Sequence, residues 1–500
     1  MFLNAQPTIV CVVALALALA CARVETTPSE NGGGAPATAA AVEAGDAFVI
    51  SADDQSDAAL AVTRRMDAEG RAGGGELPRL SAQEHMRRAA VYHGNRAFEE
   101  ARAHWRAVIE RHPSDANVPA AHFGIGRSLF QERRYEEALP VFQKLGETYA
   151  QTAGGRDGFY YVAATLLRMD RPGEAAARYA EYAERFPSGE RVENAYLNVI
   201  DSLREAGRPD EALPWIARAR ARFPGTPTDT NALFARLRLE ISRSEWAAAV
   251  RTAEELGRAR FPREVNTNAT EVAYLRAYAL ERGGQKERAV GAYQSIADGV
   301  GSYFGARATA RLRKMGGREK TAAEAREARV LAEARRSAAS YPAPNRESLL
   351  RATANRGVDP RFMLAITRQE SGFRADAKSP AGARGLMQLV PDVAAKYAQA
   401  AGITNLREDD LYQPDVNIRL ASVYLGELFR MFPGLPEAAA ASYNGGEDSV
   451  ARWVRRSVHD DPGIFTAEVG FTETKDYVHK VMANYRAYQL LYTEDLKPRR

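Results

Sequence analysis

Glu370 stands in the run Arg368-Gln369-Glu370-Ser371-Gly372-Phe373, and twelve residues past Phe373 comes Gly385-Leu386-Met387-Gln388. A carboxyl group at the edge of a breaker-rich loop suits the delivery of a proton to a leaving oxygen. Upstream, Asp359-Pro360 combines an N-cap residue with proline at the first helical position, where its missing N–H costs nothing. A helix is therefore expected to start there and run to Glu370. Phe362, Ile366 and Glu370 follow at i, i+4 and i+8, so the carboxyl shares the stripe that carries apolar side chains. Burial among apolar groups disfavours the ionised form and lifts a glutamate to roughly pKa 6, the range wanted of an acid working near neutrality. The plain alternative is a solvated glutamate at a helix end.

The neighbouring residues favour the first reading. Ser371-Gly372 ends the helix directly after the acid, and Lys378-Ser379-Pro380-Ala381-Gly382-Ala383-Arg384-Gly385 reads as a loop whose backbone can approach a ligand closely. Further on, Ala440-Ala441-Ser442-Tyr443-Asn444-Gly445-Gly446 closes a helical stretch with an aromatic, an amide and two glycines before Val450-Ala451-Arg452-Trp453 begins another. Phe471-Thr472-Glu473-Thr474-Lys475-Asp476-Tyr477-Val478 then opens a long helix in which Val478, Val481, Met482 and Tyr485 keep helical spacing.

In order and approximate spacing, these four segments resemble the soluble lytic transglycosylase domain, of the goose-lysozyme-like clan, across roughly 341–494. The resemblance implies that Glu370 is the catalytic acid. It also implies that Ser371, Gly385, Met387, Gln388, Tyr443 and Asn444 line a glycan cleft, and that Glu473 with Tyr477 supports its floor. Where the family usually has alanines flanking Tyr-Asn, this sequence has Ser442 and Gly445.

Ordinary glycosidases place two carboxylates across the scissile bond. Only one is evident here: Asp376 sits in the glycine-rich loop region, Glu447-Asp448 read as helix-start residues, and Glu473 opens a helix, positions that suit caps and salt bridges. With a single acid, the nucleophile must come from the substrate. The family resemblance supplies that logic. Glu370 would protonate the oxygen between N-acetylmuramic acid and N-acetylglucosamine, then take a proton from the muramoyl C6 hydroxyl, leaving a 1,6-anhydro end. The alternatives are a hydrolytic muramidase of the same clan and a repeat-based scaffold with weak catalysis.

No cofactor or metal is expected. The two cysteines, Cys11 and Cys21, lie at the extreme N-terminus, and the histidines show no ligand spacing with them. There is no phosphate loop, nucleophile elbow or nucleic-acid module. His459 and His479 read as surface or packing residues.

Residues 1–20 read as an export signal, with an uncharged apolar run from Ile9 to Ala20 too short for a comfortable membrane span. Two kinds of processing compete: an ordinary small-x-small cut, and lipid attachment to Cys21. The second is favoured by the cysteine's placement, and it implies a periplasmic lipoprotein, in the outer membrane rather than the inner. Residues 21–80, rich in Gly, Ala, Thr, Ser and acidic side chains, read as a disordered tether.

Ala101, Ala138, Ala175, Ala212 and Ala249 recur 37 residues apart, with Trp105, Phe142, Tyr179, Ile216 and Ala253 four residues after them. A stretched sixth copy has Ala289 and Tyr293. Pro113, Pro187 and Pro224 stand twelve past their alanines, where they would end helices. This resembles the tetratricopeptide repeat, whose helix pairs must stack into a solenoid to bury their faces. Such an array, over 81–315, is either a frame for the enzyme or a surface for glycan or a protein partner. Residues 316–340 read as a helical connector and 341–495 as the catalytic region.

Composition agrees: 500 residues, 45% hydrophobic, with a net charge of +4. That charge is mildly favourable to an anionic wall polymer and gives no argument for nucleic acid. The expected fold is all-α, a solenoid followed by a lysozyme-like domain, with any strand confined to a small hairpin near the cleft.

Overall fold

The computed structural model describes residues 56–71, 76–457 and 461–499; Cys11, Cys21 and His459 lie outside them. The fold is all-α. After α1 (Asp57–Gly70) come six helix pairs: α2 and α3 (Ala82–Gly94, Phe98–Arg111), α4 and α5 (Val118–Gln131, Tyr135–Thr148), α6 and α7 (Ala153–Arg168, Pro172–Arg185), α8 and α9 (Val192–Glu205, Pro209–Arg222), α10 and α11 (Pro227–Ser242, Trp246–Leu256), and α12 and α13 (Ala269–Arg282, Lys286–Ser295). The second helix of each pair carries the periodic alanine, and all six of these alanines are fully buried. Trp105, Phe142, Tyr179, Ile216, Ala253 and Tyr293, one turn later, are buried beside them. A Cβ-only side chain lets the facing helix come close, and the large residue a turn on fills the space this opens. Helices α3, α7 and α9 each stop two residues before Pro113, Pro187 and Pro224.

The turn inside each of the first five pairs holds a residue in the left-handed region: Arg96, Arg133, Asp170, Gly207 and Ser244, with φ between 56° and 69°. These turns form one edge of the solenoid, and the first three are fastened to the C-terminal helices. Arg96 binds Asp392 (2.8 Å), Arg133 binds Asp448 (2.7 Å) and Asp170 binds Arg455 (2.8 Å).

Closing the repeats, α14 (Tyr303–Met315) leads through α15 (Gly317–Arg336) to α16 (Arg346–Thr353), α17 (Pro360–Glu370), α18 (Pro391–Ala398), α19 (Pro414–Met431), α20 (Pro436–Gly445), α21 (Glu447–Arg456), α22 (Pro462–Glu468) and α23 (Thr472–Leu491). α15 is packed along its length. Ala323 joins the core of the last repeats, whereas Val330 and Ala334 join the core built around α17, α19, α20 and α23.

Two expectations need correction. The stretch read as a tether contains α1, which is a docked helix. Its Leu60, Thr63 and Asp67 are buried, and Asp67 accepts bonds from Arg88, Tyr92 and His104. Composition suggested a chain with few large apolar residues, but one buried ionic stripe suffices to dock a helix. In place of a hairpin, the described residues show only isolated bridges near the cleft, Lys378 with Arg384 and Arg384 with Leu389.

Candidate active site

Asp359 starts α17 as expected. Its side chain accepts from Arg361 N (2.8 Å) and from the Tyr485 hydroxyl (2.8 Å), pinning α17 to α23. Phe362 and Ile366 are fully buried on the stripe that ends at Glu370. The acid itself keeps part of its surface open. Burial of the carboxyl pushes its pKa up to about 7, against a smaller lowering by the Tyr477 hydrogen bond, with the nearby charge of Glu473 raising it further. The Tyr477 hydroxyl donates to Glu370 Oε1 at 2.6 Å.

Three tyrosines stand in sequence behind the acid. Tyr443 stacks on Tyr424 at 5.3 Å and donates to the Met387 carbonyl at 2.8 Å, and Tyr424 stacks in turn on Tyr397. The Tyr443 phenol is pushed upward by burial and then by the negative charge of Glu370. Asn444 turns its side-chain oxygen to the Thr474 hydroxyl (2.6 Å), tying the end of α20 to the start of α23. The glycine at 445 has a local cause: a Cβ there would lie 2.9 Å from Thr474 Oγ1.

The Gly385–Gln388 loop is held from behind. Gly385 has φ +79°, and a Cβ on it would fall 2.0 Å from the Leu411 carbonyl oxygen and 2.5 Å from Asn417 Nδ2, so this position demands glycine. Asn417, fully buried on α19, accepts from Met387 N (2.8 Å) and donates to the carbonyls of Arg384 (3.0 Å) and Leu411 (2.8 Å). The sequence reading missed this residue. Its signal was an asparagine on the apolar face of a helix, a position that calls for a polar partner.

Some residues stand elsewhere than expected. Ser371 and Met387 are buried beneath the cleft instead of lining it: Ser371 Oγ donates to the Leu386 carbonyl (2.6 Å), and Met387 is fully enclosed. Gln388 folds back on its own loop, donating to the carbonyls of Ala377 and Gly385. Glu473 is exposed on the first turn of α23, where its charge acts on Glu370. Asp376 is exposed, whereas Glu447 is buried near Arg133 of the repeats, which also pairs with Asp448. His479 stacks on Tyr303 at 4.9 Å and packs against Phe304, so its role is packing.

The helical-repeat array clasping a C-terminal helical unit agrees with the family matches, in which tetratricopeptide repeats precede a transglycosylase SLT domain. Residues 347–463 match the family model of the Transglycosylase SLT domain, and 88–151, 163–227 and 271–298 match models of the Tetratricopeptide repeat. The chain is 33% identical over 150 residues to the soluble lytic murein transglycosylase of Salmonella typhimurium, covering 30% of this chain and 23% of the relative. It is 31% identical over 157 residues to the soluble lytic murein transglycosylase of Escherichia coli K12, covering 31% of this chain and 24% of the relative. Membrane-bound lytic murein transglycosylase C of Salmonella arizonae is 32% identical over 154 residues, 27% of this chain and 43% of that one. The matched region thus spans about a quarter of the length of the soluble relatives. The lytic transglycosylase Slt of Pseudomonas aeruginosa, solved as an inactive mutant, aligns over 87% of this chain and 75% of that one, at 20% identity and a TM-score of 0.46.

Proposed function

We propose that this chain is a peptidoglycan lytic transglycosylase that cleaves the β-1,4 bond between N-acetylmuramic acid and N-acetylglucosamine and leaves 1,6-anhydro-N-acetylmuramic acid ends. The observation that carries this is Glu370 itself: a half-covered acid at a helix end, held near 7 by burial and bonded by Tyr477, with Glu473 on the first turn of α23 acting on it by charge. In the first step the Glu370 proton passes to the glycosidic oxygen as the C1–O bond breaks. The Glu370 carboxylate then takes the proton of the C6 hydroxyl as O6 closes on C1, so the acid is regenerated and no water is consumed. Tyr443, Asn444 and the partly open Gln388 form the surface the glycan meets, and Gly385, Ser371, Met387 and Tyr477 hold it in place.

Hydrolysis by the same site is the second reading, favoured by the charge of Glu473 acting on Glu370. Mass spectrometry of digested peptidoglycan separates the two. Anhydro ends are expected from the wild type and not from Glu370→Gln; reducing muramic ends from the wild type would overturn the proposal.

The site of action proposed is the periplasm, with Cys21 acylated in the outer membrane. Its support is the N-terminal sequence, and among the described residues no helix is long and apolar enough to cross a membrane. Cys21→Ala is expected to release the chain from the membrane fraction.

A further inference from the structure

We infer that Asp57, on α1, is a positioning residue for the cleft loop that carries Gly385–Gln388, although it lies far outside the matched SLT segment 347–463. The inference rests on the reading of that loop as substrate-facing.

Asp57 Oδ1 accepts from Lys378 Nζ at 2.6 Å and from Arg384 Nη2 at 2.9 Å, while Oδ2 accepts from the Tyr412 hydroxyl at 3.0 Å. Lys378 and Arg384 face each other across an antiparallel bridge at the base of the loop. Like charges so placed repel, and an anion that spans both relieves the rung. Glu408 reaches Arg384 alone (2.8 Å), and Lys378 finds otherwise only the Asn95 side-chain oxygen (2.8 Å). Asp57 is the carboxylate that touches both cations.

The support behind Asp57 is rigid. α1 is fixed ten residues further along by Asp67, whose two oxygens are buried against Arg88, Tyr92 and His104 of the first repeat. Beside it, Arg96 at the first repeat's turn reaches Asp392 just past the loop. The path from the first repeat to the cleft thus runs Asp67, α1, Asp57, the Lys378–Arg384 rung, and Gly385, whose N–H bonds the Ala377 carbonyl at 2.9 Å. A helix from outside the SLT domain completes the polar base of its loop.

Full-length wild type, Asp57→Ala, Asp57→Glu and Asp67→Asn are compared by amide hydrogen exchange and by peptidoglycan-cleavage kinetics well below the melting temperature. In Asp57→Ala, exchange over 377–389 is expected to rise at least fivefold with α4 to α9 unchanged. KM rises and kcat/KM falls about tenfold, while Asp57→Glu recovers most of the loss. Asp67→Asn, which loosens the other end of α1, should reproduce the loop effect. Unchanged loop exchange in folded Asp57→Ala, or a rise spread evenly over the repeats, would overturn the inference. Because exchange is read without turnover, a wild type that makes no anhydro ends but shows this loop response rejects the proposed activity and leaves the positioning role standing.

Discussion

The Tyr477 hydroxyl meets Glu370 Oε1 at 2.6 Å and so joins the last residue of α17 to the second turn of α23. Burial raises the acid's pKa, the Tyr477 bond lowers it, and burial wins, leaving a value of about 7. The protonated form, needed for the first step, is lost as pH rises through that value. kcat/KM is therefore expected to fall with an alkaline limb near 7, and a flat profile to pH 9 would contradict the assignment. Stability carries the same signature. A folded pKa above the ordinary 4.5 contributes stability that is fully present below 4.5 and is lost as pH rises through about 7. Denaturant melts should show Glu370→Gln gaining on the wild type between pH 5 and pH 8.

Tyr477→Phe separates orientation from acidity. The phenol stabilises the ionised carboxylate, so its removal moves the alkaline limb upward. At the same time the carboxyl loses the bond that fixes its rotamer, and a hydrogen bond to a charged group is worth about 1.5–3 kcal/mol. The expected result is a rate lower by about tenfold or more, combined with a limb displaced to higher pH. A downward displacement would mean that Tyr477 acts on the acid in the opposite sense.

Asn417→Leu tests the support of the loop from the α19 side. It strands Met387 N and takes the Asn417 donor from the carbonyls of Leu411 and Arg384, the latter still bonded by Leu389 N, and an orphaned buried group costs about 1–3 kcal/mol. A melting temperature lower by several degrees is expected, with activity at low temperature falling further than that loss explains. Full activity in the folded variant would show that the loop is held without it.

The residues legible in the sequence were those whose neighbours lie close in the chain. The Asp359-Pro360 start of α17, the Ser371-Gly372 stop and the alanine with its large partner a turn later are local patterns, and each appears where the spacing put it. Asn417, Asp57 and the burial of Met387 were not legible, because Asn417 meets Met387 across 30 residues and Asp57 meets Lys378, Arg384 and Tyr412 across 321 to 355. Composition also misjudged α1. A stretch poor in large apolar residues reads as unfolded, yet Asp67 finds an arginine, a tyrosine and a histidine already buried in the first repeat. The clasp between the repeats and the SLT domain was invisible for a similar reason: Arg96, Arg133 and Asp170 look like ordinary surface charges until their C-terminal partners are placed.

That clasp is most concentrated at Glu468, at the end of α22. Its buried carboxylate lies 2.6 Å from Arg204, 3.4 Å from Arg238 and 3.5 Å from Arg456, with Asp201 and Glu205 completing the group. Burial alone would raise its pKa, but the three guanidiniums win and hold it below the ordinary carboxylate value. Such a cluster is weak evidence of net stabilisation, because desolvation offsets the attraction, yet removing one partner leaves uncompensated buried charge at a cost of about 3–5 kcal/mol. Glu468→Ala leaves Arg204, Arg238, Arg452 and Arg456 facing only Asp201 and Glu205 across the boundary between α8 and α10 on one side and α21 and α22 on the other. The expected outcome is a lower first melting transition and faster proteolysis between α21 and α23. The Glu370 pH limb should stay where it is, because Glu468 has no bond to the acid. The folded pKa lies below the ordinary value, so this stabilisation is present above about pH 4.5 and is lost as pH falls through the lowered value. The melting difference between the wild type and Glu468→Ala should therefore be widest near neutrality and close on acidification; a difference that widens below pH 4 would reject the ion cluster as the source of the clasp's rigidity.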